Sequence, residues 1–134
     1  MASTGYSGTP LAQKLSLKDG LTVWFSHMPD NVRAEIGPLD LIEHTSMPNG
    51  LDAAHIFVRE CLVMEALLRD LRTLIAPAGF VWVSWPKKAS KVSTDISEDT
   101  IRAIALPMGW VDVKVCAVDS IWSGLKLVIR RRLR

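Results

Sequence analysis

The loop Trp85-Pro86-Lys87-Lys88-Ala89-Ser90-Lys91 places three ammonium groups beside an indole. Such a set can hold a phosphate or carboxylate on Lys87 and Lys88 while a planar group stacks on Trp85. A solvated loop whose tryptophan packs inward uses the same residues without a ligand. His27, Glu43 and His44 form a second set, an acid–base or metal cluster if the strands that carry them pair. No His-x-x-x-His or similar spacing exists, so imidazoles that cap strand ends are the simpler reading. The candidate ligand-binding residues are therefore Trp85, Lys87, Lys88, His27 and Glu43. No catalytic residue, metal ligand or cofactor is assigned, because no nucleophile–base spacing is visible.

Other reactive residues have plainer uses. Cys61 and Cys116 form no Cys-x-x-Cys pair and read as buried small apolar residues. In Trp122-Ser123-Gly124 the glycine serves a turn, and Trp122 covers one end of the core. Arg130-Arg131-Arg132-Leu133-Arg134 could meet phosphates, but no aromatic residues interleave with it. A basic edge strand that resists edge-to-edge pairing is the simpler reading, so a nucleic-acid partner is not favoured.

The chain has 134 residues, 49% of them hydrophobic, with 16 Lys plus Arg against 14 Asp plus Glu. That length suits one domain, residues 1–134, that buries somewhat under ~70% of its unfolded surface without a disulfide or metal. The apolar content excludes a disordered chain. Arg59, Glu60, Glu65 and Arg69 break the longest apolar regions, so no membrane span is expected. Met1 to Pro10 shows no secretory signal, and a cytoplasmic location is the expectation. Charge is uneven: residues 1–86 carry six basic and nine acidic side chains, residues 87–134 ten and five.

Thr9-Pro10 opens a helix with Leu11 and Leu15 on one face, and Asp19-Gly20 turns the chain. Leu21 to Ser26 is β-branched and aromatic and reads as a strand. A short helix from Asp30 must stop by Gly37-Pro38. Leu39 to Thr45 reads as a second strand of unsettled direction, and Ala53 to Val58 as a third. Met64, Leu67, Leu68, Leu71, Leu74 and Ile75 make one apolar stripe on a helix ended by Pro77 and Gly79. Phe80 to Trp85 is a continuous apolar strand. Asp95 and Glu98 form an aspartate capping box for a helix that buries Ile101, Ile104, Ala105 and Met108. Val111 to Val118 and Leu125 to Arg131 close the chain as a hairpin. Strands alternating with amphipathic helices imply an α/β, three-layer Rossmann-like sheet, mostly parallel, with an antiparallel C-terminal hairpin. Ligands collect at the carboxyl ends of such strands, which places Ser26, His27, Asn31, Glu43, His44, Arg59, Glu60, Ser84, Lys87 and Lys88 there.

Three lead-in phrases carry a resemblance. Leu17-Lys18-Asp19-Gly20-Leu21-Thr22-Val23, Leu74-Ile75-Ala76-Pro77-Ala78-Gly79-Phe80-Val81 and Met108-Gly109-Trp110-Val111-Asp112-Val113 resemble strand entries of class I S-adenosylmethionine-dependent methyltransferases. Val83 to Lys88, Asp112 to Asp119 and Trp122 to Val128 resemble a bacterial family of small domains of unknown function with a shortened form of that fold. The resemblance implies a methyltransferase-like architecture and no particular activity.

The family pattern places glycines where strand one turns into its helix, so that backbone can approach the cofactor. Here the turn is Ser26-His27-Met28-Pro29-Asp30-Asn31, and Glu43 is the one candidate for the acid that holds ribose hydroxyls. Ser46 to Ala54 is too short for a further helix and strand. A ligand- or partner-binding domain, not a methyltransferase, is the expected function, with a small anionic ligand or a protein as partner. The alternatives are a small enzyme that acts on an anionic or nucleotide-like substrate, with His27 or Glu43 as acid–base, and a nucleic-acid accessory protein. Homodimer formation stays compatible with the sequence.

Overall fold

The computed structural model describes residues 9–134; residues 1–8, part of the segment read above as lacking a signal, lie outside that description. Six strands form one sheet: β1 (Thr22–Ser26), β2 (Ile42–His44), β3 (Leu51–Phe57), β4 (Ile75–Pro86), β5 (Trp110–Ala117) and β6 (Trp122–Ile129), in the order β2-β1-β3-β4-β6-β5. The first four pair in parallel, and β6 alone runs against its neighbours. Helices α3 (Cys61–Leu74) and α4 (Glu98–Ala105) cover one face; α1 (Leu11–Lys14) and α2 (Asp30–Ile36) cover the other. This is the three-layer Rossmann-like arrangement expected from the pattern. Among the described residues no helix is long and apolar enough to cross a membrane.

The stripe on α3 works as its spacing requires. Met64, Leu68 and Leu71 are wholly buried against Ile56 and Val83, each worth roughly 1.5–3 kcal/mol of apolar burial. The helix stops at Leu74, because Ile75 turns extended (φ −71°, ψ 141°) and pairs at once with Leu51 of β3. Pro77 and Gly79, expected as terminators, lie instead in the irregular opening of β4. A Cβ on Gly79 would stand 2.8 Å from the Asp52 carbonyl oxygen, so the approach of β3 to β4 requires glycine there.

Several local readings need correction. The second strand is only Ile42–His44, and it is parallel to β1. The box that opens α4 is Ser97 with Thr100: Ser97 Oγ accepts from Thr100 N at 3.2 Å, and Ser97 N donates to Thr100 Oγ1 at 2.7 Å. Asp95 is drawn elsewhere, to the unsatisfied first turn of α3, where its Oδ1 accepts from Cys61 N at 2.8 Å. Gly124 is no turn residue. It lies inside β6, where a Cβ would meet Trp82 at 3.1 Å and Ser84 Oγ at 3.3 Å. The arginine tail forms no edge strand, because β6 ends at Ile129 and lies between β4 and β5; Arg131–Leu133 is a 3-10 turn. Both cysteines are half-buried, not core.

One polar pair lies inside the apolar layers. His55 of β3 and Ser84 of β4 are buried, with Nε2 2.6 Å from Oγ, and the imidazole stacks on Phe57 at 4.3 Å between centroids. His55 Nδ1 has no hydrogen-bond partner among the described residues. Burial holds the imidazole neutral, pushing its pKa down to about 3.

Two outcomes follow from this pair. Ser84→Ala or His55→Leu alone leaves a buried polar group unpaired and costs about 1–3 kcal/mol in urea unfolding. The double variant costs less than the sum by at least about 1 kcal/mol, whereas strict additivity would contradict the coupling. The unfolded imidazole takes a proton below its ordinary pKa of about 6.5 while the folded one does not until about 3. The pair's contribution is therefore complete above pH 6.5 and declines by about 1.4 kcal/mol per pH unit below it. Urea midpoints at pH 7.5 and 5.0 test this, and the His55→Leu/Ser84→Ala protein should lack most of the difference.

Candidate functional site

The strand order reverses at β1, with β2 on one side and β3 on the other, so the crevice beyond the carboxyl ends of β1 and β3 is the switch point. His27, Phe57, Arg59, Glu60, Val63 and Trp122 line a depression of about 320 Å³ there. Arg59 and Glu60 also border a second depression of about 440 Å³, closed on its far side by Ser93, Thr94 and Asp95. Those three residues in turn line a third, of about 480 Å³, with Trp85, Lys88 and Lys91. The three together make a groove along the carboxyl edge of the sheet.

Two latches shape the groove. After β4 the chain returns over the edge, and Thr94 Oγ1 donates to the Arg59 carbonyl at 2.7 Å while Asp95 caps α3. On the other side the β5–β6 loop folds down: Asp119 Oδ1 accepts from Ile121 N and Trp122 N at 2.8 and 2.7 Å. Asp119 Oδ2 accepts from Asn31 Nδ2 at 3.0 Å, tying that loop to the first turn of α2. Trp122 then meets Phe57 edge-on, with centroids 5.2 Å apart, as the apolar wall of the crevice.

The residues singled out from sequence separate in space. Trp85 is 7% exposed and belongs to the same core as Ile96, Ile101 and Val83, so little of its ring is open to the groove. Lys88 lines the groove with Lys91. Lys87 does not, and its backbone N–H fastens to the Ile121 carbonyl at 2.8 Å. His27 lines the crevice with a positive φ of 57°, its Nδ1 3.1 Å from Ser26 Oγ. Glu43 lies apart, clamped by Arg33 through two bonds of 2.8 and 2.9 Å. That hydrogen-bonded guanidinium holds the Glu43 carboxyl below the usual carboxylate range. His27, Glu43 and His44 form no metal-holding group among the described residues. Ser93, Thr94 and Asp95 carry no sequence signal for a place beside Arg59, because only the fold brings them there.

These residues do not fit the methyl donor bound by the enzymes whose architecture the chain resembles. At the turn after β1 the backbone takes the left-handed conformation natural to glycine, but the residue is His27, and its side chain lines the crevice. Glu43 has both oxygens engaged by Arg33. Only residues 45–50 join β2 to β3, with no helix or strand between.

No family model matches the chain. No curated protein matches it either. Among solved structures, it is similar to fibrillarin from Aeropyrum pernix, a complex with S-adenosyl-L-methionine (14% identity, TM-score 0.58, 93% of this chain and 71% of that one). A methyltransferase from Aquifex aeolicus matches at 14% identity and TM-score 0.64, over 89% and 87% of the two chains. A protein from Sulfolobus solfataricus assigned to the type 11 methyltransferases matches at 12% identity and TM-score 0.64, over 96% and 94%. At such identities the likeness is one of fold: the chain has a Rossmann-like arrangement similar to that of these methyltransferases.

Proposed function

We propose that this chain is a non-catalytic binding domain, a shortened methyltransferase-like unit whose carboxyl-edge groove takes a small anionic ligand with a planar or apolar part. The observation that carries this reading is the lining of the groove. Arg59, Lys88 and Lys91 stand along it with no ion-pair partner among the described residues, beside the wall of Phe57, Val63 and Trp122. The acids that line the groove are Glu60 and Asp95, so the three basic groups exceed them by one. An anion recruits such cations through charge-assisted hydrogen bonds, and the crevice shelters its apolar part. His27 in place of a glycine and the clamped Glu43 support binding without methyl transfer.

Calorimetric titration of S-adenosylhomocysteine and of ADP tests the reading. ADP should give heat, weakened at least tenfold in Lys88→Gln/Lys91→Gln, and S-adenosylhomocysteine should give none. Micromolar binding of the homocysteine compound would overturn the proposal and restore a methyltransferase. Silence from both would turn the search to protein partners.

The turn itself yields a further expectation. A non-glycine residue in the left-handed region costs about 1–2 kcal/mol, so His27→Gly should be more stable than His27→Ala by about 1 kcal/mol. Urea midpoints decide it, and an alanine variant as stable as the glycine one would contradict a strained turn.

A further inference from the structure

A second group of basic residues lies on the opposite side of the molecule from α3 and α4, where the terminal hairpin meets α1. Lys114 of β5 and Lys126 of β6 stand directly opposite each other in the antiparallel register. Both side chains reach the same short stretch of chain: Lys114 Nζ donates to the Lys14 carbonyl at 3.2 Å, and Lys126 Nζ to Ser16 Oγ at 2.9 Å. They therefore share one face of the sheet. Lys14 belongs to the same group, since its carbonyl is the acceptor of the Lys114 ammonium; burial raises the half-buried Cys116 thiol, and the charges of Lys14 and Lys114 act on it in the opposite direction. Lys126 is the innermost, 4.6 Å from the centre of the Phe80 ring. Ser16, which receives it, has a positive φ of 62°.

Like charges directly opposite on a sheet repel, and among the described residues no carboxylate forms an ion pair with either lysine; the Phe80 ring beneath Lys126 offsets only part of the repulsion. The partners of Lys114 and Lys126 are a carbonyl and a hydroxyl, both neutral. The two strands hold a single acid, Asp112, and it is committed to Arg102 of α4 at 2.8 Å on the other face. No Asp or Glu precedes Asp19 in the sequence. Burial and the neighbouring Lys114 lower the pKa of Lys126.

We infer that Lys14, Lys114 and Lys126, with the Ser16 hydroxyl, form a binding site for a compact phosphate-class anion of two or more negative charges, separate from the carboxyl-edge groove. Three ammonium groups match such an anion, and the hydroxyl supplies a neutral hydrogen bond. Cys116 borders the site and reports on it, because an anion seated there counteracts the two lysine charges that favour its thiolate.

The probe is inorganic pyrophosphate on the full chain, compared with sodium chloride at equal ionic strength. Pyrophosphate should slow iodoacetamide alkylation of Cys116 at least threefold, read by peptide mass spectrometry, and raise the thermal unfolding midpoint. Both effects should vanish in Lys114→Gln, whose exposed position spares the fold, and in Lys126→Gln. They should persist in Lys88→Gln/Lys91→Gln, which separates this site from the groove. Equal effects of pyrophosphate and sodium chloride, or effects unchanged in the Lys114 variant, would overturn the assignment. So would protection by oligodeoxythymidylate alone, since that places the phosphate on a polymer.

Discussion

The Trp82 indole, buried at the centre of the sheet, is the contact on which the packing of one whole face depends. Its Nε1–H donates to the Leu15 carbonyl at 2.9 Å, which fixes the end of α1 on the sheet. Its ring occupies space that exists only because Gly124 on β6 has no side chain. One aromatic residue thus satisfies a buried donor, fills the second core and sets the distance between α1 and the hairpin. A polar group buried without its partner is costly, so α1 has little freedom to shift. Lys14 and Ser16 are held beside Lys114 and Lys126 as a consequence.

The carboxyl edge is shaped by backbone termini that need partners. A helix leaves its first N–H groups unsatisfied, and α3 meets part of that need with Asp95, which arrives from beyond β4. The strap that delivers Asp95 also divides the groove and brings Ser93 and Thr94 opposite Arg59. Asp119 does similar work for the terminal hairpin and reaches Asn31 as well. Structural satisfaction and groove formation are therefore the same set of bonds, and the groove is preformed.

The shortened sheet changes the chemistry available at the switch point. Without a helix and strand between β2 and β3, the edge beside β2 is narrow, and Glu43 is drawn into a bidentate pair with Arg33 of α2. That pair is half-exposed, so its worth in stability is small. Its effect is to engage both oxygens of Glu43, the acid that the resemblance would set against a ribose. His27 stands in the same region with a left-handed backbone, at a turn where the resemblance leads one to expect glycine.

Local periodicity was enough to read β1, α3, β4, α4 and the closing hairpin from the sequence, because apolar spacing registers directly which face of an element is buried. The glycine-poor turn and the basic loop after β4 were legible for the same reason, being properties of adjacent residues. Tertiary structure alone decided the rest. Asp95 looked like the cap of the helix that follows it and instead caps one that begins 34 residues earlier. Gly124 looked like a turn residue and is a vacancy for Trp82. Lys14 and Lys114, a hundred residues apart, gave no sign of proximity. Hydrogen bonds, ion pairs and close approaches depend on distance in space, and spacing along the chain records that distance only within an element.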